Sequence, residues 1–143
     1  MTSSGGNSSF KLIIHASAPW KKECPRANVE LGQIAYKSLQ ECDNIGLKSL
    51  AIPPLGTGIA GCSIDDCANG FIEGFSMYLK ENQYCSVNKI GIIIYDAQTL
   101  STFNMLLGQI DFTKYVVAPI SVPSFKQRIP SSDEEVKDVK VSQ

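Results

Sequence analysis

The sequence predicts an α/β fold with three α-β-α layers and a mainly parallel sheet, in which the elements alternate as β-α-β-α-β-α. Short apolar runs typical of buried strands alternate along the chain with segments whose apolar residues recur at helical spacing. The helical segments between the runs are long enough for parallel crossover connections. An open parallel sheet with helices on its faces accommodates both features.

Three apolar runs predict the strands of this sheet, at residues 10–14, 49–52 and 90–95. Pro53 and Pro54 end the second run, because proline has no amide hydrogen for a strand ladder. The third run is unbroken and rich in isoleucine, which is typical of a strand buried on both faces.

Apolar residues at helical spacing predict helices from about 27 to 43 and from about 63 to 80, with a last helix after Asp96. Ser63, followed by Asp66 three residues later, predicts a capped start for the second helix. Because the carboxyl ends of parallel strands share one edge, the segments that follow the three strands are expected to form a ligand-binding edge.

Composition and charge exclude several classes of protein. The chain has 143 residues, with 13 Lys and Arg against 14 Asp and Glu, a balance that argues against a broad basic surface for nucleic acid. No apolar run approaches the roughly 20 residues of a membrane helix, and the first residues are not expected to form a signal peptide. The five scattered cysteines predict reduced thiols rather than a disulfide framework or a zinc site, in an intracellular compartment, nucleus or cytoplasm.

The distribution of apolar residues predicts one domain between two tails. Apart from Met1, residues 1–9 are small or polar, and residues 119–143 combine three prolines with a charged run, so both ends are expected to be disordered. The domain is expected at 10–118. A sheet of only three strands leaves unpaired edges, which predicts self-association or a partner chain at those edges.

A glycine-rich loop, GTGIAG at residues 56–61, joins the second strand to the second helix. Glycines allow a sharp turn and a close approach to a ligand, and amides at a helix start attract anions, so the loop predicts phosphate or diphosphate binding. Its G-x-G-x-x-G pattern also occurs in dinucleotide-binding Rossmann domains. That alternative is weakened by the strand that precedes the loop's own strand and by the position of Asp96, 40 residues after Gly56.

Three segments resemble macro domains, in the order and at the spacing of that family. Residues 11–20, KLIIHASAPW, resemble the family's VIH-x-V-G-P-x-W strand and turn. Residues 48–61, KSLAIPPLGTGIAG, resemble its S-I-A-F-P-A-I-G-T-G-I-x-G strand and second phosphate loop, and residues 90–96 resemble its final buried strand.

The resemblance implies a module that binds ADP-ribose, free or attached to proteins. We expect no separate cofactor, no metal and no catalytic residue. The implied contacts to the diphosphate and distal ribose come from loop amides, and those to the adenine or its ribose come from the end of the last strand. The implied ligand-binding residues are Gly56, Thr57, Gly58, Ile59, Ala60, Gly61, Tyr95 and Asp96.

The sequence departs from the family before Phe10, where macro domains carry two or three strands and a helix, so it resembles a truncated or alternatively started domain. That part of the family holds an Asn-rich segment and a first glycine loop, which hydrolytic members use on the distal ribose. Ala60 replaces a frequent aromatic residue, and Cys62 and Ser63 replace an aromatic-Pro pair. These departures favour binding without turnover, with an ADP-ribosyl hydrolase as the alternative. A fragment of an NAD-binding oxidoreductase, a third interpretation, lacks a well-placed acidic residue.

The remaining candidate residues favour structural roles. His15 is expected to be a hydrogen-bonded residue at a strand end, and residues 65–66 are expected to favour a helix dipole rather than to act as acid and base. Cys62 lies at a helix start but has no evident base beside it. Trp20 is expected to anchor a turn, and residues 21–22, both lysine, are expected to be solvated.

Overall fold

The computed structural model describes residues 1–108 and 116–121. Within these residues it contains five strands and three helices. In chain order they are β1 (Thr2–Ser4), β2 (Leu12–Ile14), α1 (Ala27–Asn44), β3 (Ser49–Ile52), α2 (Ile64–Glu81), β4 (Lys89–Ile94), α3 (Ala97–Leu107) and β5 (Val116–Ser121). No helix among the described residues is long and apolar enough to cross a membrane.

The strands form two separate sheets. β3, β4 and β5 make a parallel sheet in that order, and Ile52 pairs with Ile92 at the carboxyl end of β3. β1 and β2 pair with each other in antiparallel fashion. The α/β class is confirmed, but the expected place of the first apolar run is corrected, because β2 hydrogen-bonds to β1 rather than to the parallel sheet.

Two predicted domain boundaries are corrected by strands. β1 lies inside residues 1–9, where disorder is expected from the sequence, and the amide of His15 also donates to the carbonyl of Met1 at 2.8 Å. A backbone ladder needs no apolar side chains, which explains why composition does not reveal this strand. β5 crosses the expected limit at residue 118, and its Pro119 lies on the last strand of the sheet, where a missing amide is tolerated. Residues 122–143 of the predicted tail lie outside the described residues.

The core forms between the helices and the inner face of β4. Ile90, Ile92 and Ile94 alternate along β4 and are buried, whereas Ile93 on the opposite face is partly exposed. Phe71 packs against Phe103, with 6.4 Å between the ring centroids. The apolar periodicity that predicts the helices therefore marks the faces that are buried.

α1 and α2 approach each other so closely that only glycine fits at their contact. A Cβ atom on Gly74 would lie 2.1 Å from the carbonyl oxygen of Gly32, and one on Gly70 would lie 2.4 Å from that of Asn28. Real Cβ atoms essentially never lie under 3.0 Å from such an atom. The contact packs the helix after β2 against the helix after β3, and the second of these helices begins shortly after the glycine loop.

Asp43, near the end of α1, joins three parts of the chain. Its carboxylate accepts hydrogen bonds from the Tyr78 hydroxyl at 2.8 Å and from the Ser86 amide at 2.7 Å. Ser86 also donates its hydroxyl to the carbonyl of Leu47 at 2.8 Å. The Ser86 amide, followed by the Tyr78 hydroxyl, lowers the pKa of Asp43 below its ordinary value. The network ties α1 to α2 and to the segment that leads into β4.

Asp43→Asn is expected to lower the free energy of unfolding at pH 7 by about 1–2 kcal/mol, because two bonds to a carboxylate become bonds to a neutral amide. A lowered pKa in the folded protein gives stability above the unfolded pKa of about 3.9 and loses it as the pH falls through the folded value. In urea unfolding, the deficit of the variant relative to the parent should thus be full at pH 7 and smaller at pH 3. Glu41→Gln, on an exposed position of the same helix, is the control and should change stability little at either pH. An equal deficit for Asp43→Asn at both pH values would contradict this role.

Candidate functional site

The three predicted loop segments meet at the carboxyl edge of the parallel sheet. The glycine loop follows β3, and Tyr95 and Asp96 follow β4, which is the neighbouring parallel strand. The segment after β2 reaches the same place, because a Cβ atom on Gly56 would lie 3.5 Å from the Cβ of Ala18. The thiol of Cys62 also contacts the carbonyl of Pro19 at 3.4 Å. The prediction that these segments converge is therefore confirmed at the level of the backbone.

Backbone geometry explains the glycines at both ends of the loop. Gly56 has φ +78° and Gly61 has φ +74°, a region that residues with a side chain rarely adopt. The loop closes through two hydrogen bonds of 2.9 Å, from the Cys62 amide to the Gly56 carbonyl and from the Gly61 amide to the Gly58 carbonyl. The central Gly58 differs, since its φ is not positive and a Cβ atom there would meet nothing within 4 Å.

Five consecutive amides of the loop, at residues 56–60, donate to no acceptor within the described part of the chain. They lie on an exposed turn, at whose tip Ile59 is 91% exposed. The loop leads directly into α2, whose N-terminal end carries partial positive charge. A run of free amides before a helix is suited to an anion with several acceptor oxygens, such as a diphosphate.

Most side chains beside this loop stabilise it through hydrogen bonds or burial. The Thr57 hydroxyl donates to the carbonyl of Pro54 at 2.9 Å, and the Ser63 hydroxyl caps α2 by accepting from the Asp66 amide at 3.0 Å. The Cys62 thiol is buried, and burial raises its pKa above the ordinary value. A neutral, buried thiol is a poor nucleophile.

Lys21 is a contact of the loop that sequence reasoning misses. Its amide donates to the carbonyl of Ala60 at 2.9 Å, and its ammonium group forms an ion pair with Asp66 at 2.5 Å. The hydrogen bond between the two side chains lowers the pKa of Asp66 and raises the pKa of Lys21. The pair neutralises one carboxylate that would otherwise repel an anion at the start of α2. No motif or spacing in the sequence signals this contact, which depends on how the chain after β2 folds over the loop.

Tyr95 and Asp96 occupy the neighbouring position on the edge. The Tyr95 side chain is 65% exposed and has room to stack on a flat ring. The Asp96 carboxylate caps α3 by accepting from the Thr99 amide at 2.8 Å, and this bond lowers its pKa. Asp96 is thus an ionised group whose first structural role is to start a helix.

The remaining candidate residues, His15 and Trp20, have structural contacts. His15 is exposed, and its Nε2 lies 2.9 Å from the hydroxyl of Ser3 across the β1–β2 pair. Trp20 is 52% exposed, and its carbonyl accepts from two amides of the following turn. No group of His, Cys, Asp and Glu in the part of the chain that is described could hold a metal ion.

Comparison with known proteins points to one family. The family model described as Macro domain matches residues 1–71. The chain is 25% identical over 109 residues to a macro domain-containing protein of Streptomyces coelicolor, and the match covers 76% of this chain and 61% of that protein. It is 24% identical over 99 residues to an ADP-ribose glycohydrolase of Archaeoglobus fulgidus (63% of this chain, 46% of that protein). It is 23% identical over 101 residues to a histone macroH2A1.1 of Capsaspora owczarzaki (71% and 27%).

The chain spans about half the length of most of these curated relatives. The matched residues 1–71 include both strands of the first sheet, α1, β3 and the whole glycine loop. They include two of the three segments that resemble the family in the sequence, residues 11–20 and 48–61, and the glycine loop of the edge described above. The chain belongs to the macro domain family.

Proposed function

We propose that this chain is a binding module for ADP-ribose, free or attached to proteins, with no separate cofactor and with a place in the nucleus or cytoplasm. Members of its family bind ADP-ribose. The single observation that carries the proposal is the run of five free amides at residues 56–60, on an exposed turn at the start of α2. A diphosphate brings the negative charge and the acceptor oxygens that such a turn favours.

The proposed contacts divide the ligand between two neighbouring loops. Backbone amides of Gly56, Thr57, Gly58, Ile59 and Ala60 bind the diphosphate and the distal ribose, and Gly61, whose amide donates to the Gly58 carbonyl, closes the turn around them. Tyr95 stacks on the adenine or its ribose, and Asp96 lies beside it. The exposure of Tyr95 and the shared edge of β3 and β4 support this division.

Removal of ADP-ribose from proteins is the second candidate, favoured by the similarity to an ADP-ribose glycohydrolase. The chemistry of the loop argues against it. The Cys62 thiol is buried with a raised pKa, the Asp66 carboxylate is paired with Lys21, and that of Asp96 caps a helix. None of these groups is free to activate water beside the distal ribose, so binding without turnover is the function proposed.

Calorimetric titration with ADP-ribose is expected to give saturable binding at one site, with weaker binding of NAD, whose nicotinamide occupies the end of the distal ribose. In parallel, incubation with an ADP-ribosylated protein is expected to release no ADP-ribose above background. Failure of ADP-ribose to bind would contradict the proposed ligand. Release that exceeds background and disappears on mutation of the loop would instead establish the hydrolase.

A further inference from the structure

Lys21 contacts the chain on both sides of the junction between the glycine loop and α2. Its backbone amide donates to the carbonyl of Ala60 at 2.9 Å, and its ammonium group pairs with Asp66 at 2.5 Å. A Cβ atom on Gly61, which lies between these two partners in the sequence, would be 3.9 Å from the Cβ of Lys21. One residue therefore bridges the last free amide of the loop and the first turn of the helix.

The turn at residues 20–24, which carries Lys21, is closed by its own hydrogen bonds. The carbonyl of Trp20 accepts from the amides of Glu23 and Cys24, both at 2.9 Å. Just before this turn, the carbonyl of Pro19 accepts from the thiol of Cys62 at 3.4 Å. The turn is thus an ordered support to which the end of the glycine loop is attached.

The tip of the glycine loop has few contacts of its own. A Cβ atom on Gly58 would meet nothing within 4 Å, and Ile59 is exposed. Glycine adopts conformations that are closed to other residues, so a loop with three glycines has many alternatives to the conformation seen here. The orientation of its free amides consequently depends on the contacts that hold its ends.

The ion pair is placed to restrain one of these ends. The amide of Asp66 donates to the capping hydroxyl of Ser63 at 3.0 Å, so the carboxylate belongs to a fixed first turn of α2. The exposed fraction is 41% for the side chain of Lys21 and 27% for that of Asp66. Partial burial protects a pair from screening by salt. The pair also carries no net charge, so its restraint can be separated experimentally from an effect of charge.

We propose that Lys21 is a positioning residue for anion binding. Its ion pair with Asp66 holds the glycine loop against the N-terminal end of α2, so the amides of residues 56–60 are ordered before the ligand arrives. This role rests on the proposed function, because the anion is the diphosphate of ADP-ribose. Groups that are ordered in advance cost less to immobilise on binding, which raises the affinity. Lys21 acts through Asp66 and the loop rather than by contact with the ligand.

The test removes the pair without changing the net charge of the full chain. Lys21→Met keeps the backbone amide and the length of the side chain, and Asp66→Asn keeps the amide that donates to Ser63. In calorimetric titration, the double variant Lys21→Met/Asp66→Asn is expected to bind ADP-ribose about five- to tenfold more weakly than the parent. If the pair mattered only through its charges, the double variant would bind like the parent.

The order of the loop is measured in the protein without ligand. Nuclear magnetic relaxation of the amide nitrogens at residues 57–60 is expected to give order parameters of about 0.85 in the parent and below about 0.6 in the double variant. The amides of α1 should give the same order parameters in both proteins. A pair that only stabilised the fold would leave the order of the loop unchanged.

Two single variants serve as controls. Lys21→Arg keeps a cation opposite Asp66 and is expected to retain the affinity and the loop order of the parent. Lys22→Met removes the charge of the neighbouring exposed lysine, which forms no ion pair within the described residues, and should also behave like the parent.

Three results would overturn this role of Lys21. They are parent-like affinity in the double variant, parent-like order of its loop amides, and an equal loss of affinity in Lys22→Met. A parallel titration with inorganic pyrophosphate separates this role from the proposed function. If the parent binds pyrophosphate but not ADP-ribose, the proposed function fails, and the same variants decide the role of Lys21 with pyrophosphate as the probe. A parent that binds neither anion contradicts both proposals.

Discussion

Gly58→Glu is expected to lower the affinity for ADP-ribose by about a hundredfold. The new carboxylate would lie among five amides that are free for an anion, where it would repel the negatively charged diphosphate of the ligand. Two like charges placed together in a binding site cost several kcal/mol. The variant should fold normally, because the φ of Gly58 is not positive and a Cβ atom there meets nothing within 4 Å. Calorimetric titration of parent and variant measures the loss.

Two controls separate charge at the loop from other effects. Gly58→Ala adds only a methyl group in open space and should retain most of the affinity. Gln40→Glu adds the same charge on an exposed position of α1 and should bind ADP-ribose like the parent. Unchanged affinity in Gly58→Glu would show that the ligand lies elsewhere on the molecule.

Gly74→Ala is expected to destabilise the fold by about 2 kcal/mol, although alanine is intrinsically a better helix former than glycine by about 1 kcal/mol. The added methyl group would lie 2.1 Å from the carbonyl oxygen of Gly32, so α1 and α2 must move apart. The movement would loosen the packing of Phe71 and Phe75 on the same helix. Thermal unfolding should show a Tm lower by about 10 °C.

Gly58→Ala again provides a control, because it adds the same methyl group where nothing lies within 4 Å. Its Tm should stay close to that of the parent. A Tm of Gly74→Ala equal to or above that of the parent would mean that the two helices have room to adjust, and the close contact would then not limit stability.

The candidate site was predictable in its backbone but not in its side chains. A strand, a glycine-rich turn and a capped helix follow one another in the sequence, and local rules place free amides at such a junction. The ion pair of Lys21 with Asp66 was not predictable, because it joins residues 45 positions apart. The places of Tyr95 and Asp96 as ligand contacts stay predictions, since only a bound ligand tests them.

The sequence by itself determined the three helices, the strands β3 and β4 and the loop between β3 and α2, because apolar periodicity, caps and glycine act over a few residues. The tertiary structure alone decided which strands pair. The apolar run at β2 was expected in the parallel sheet, yet it pairs with the polar strand β1. Strand pairing depends on backbone groups that every residue carries, so composition does not specify the partner. The close contact of α1 with α2 was likewise not predictable, because the need for glycine at residues 70 and 74 follows from the position of the opposing backbone of α1.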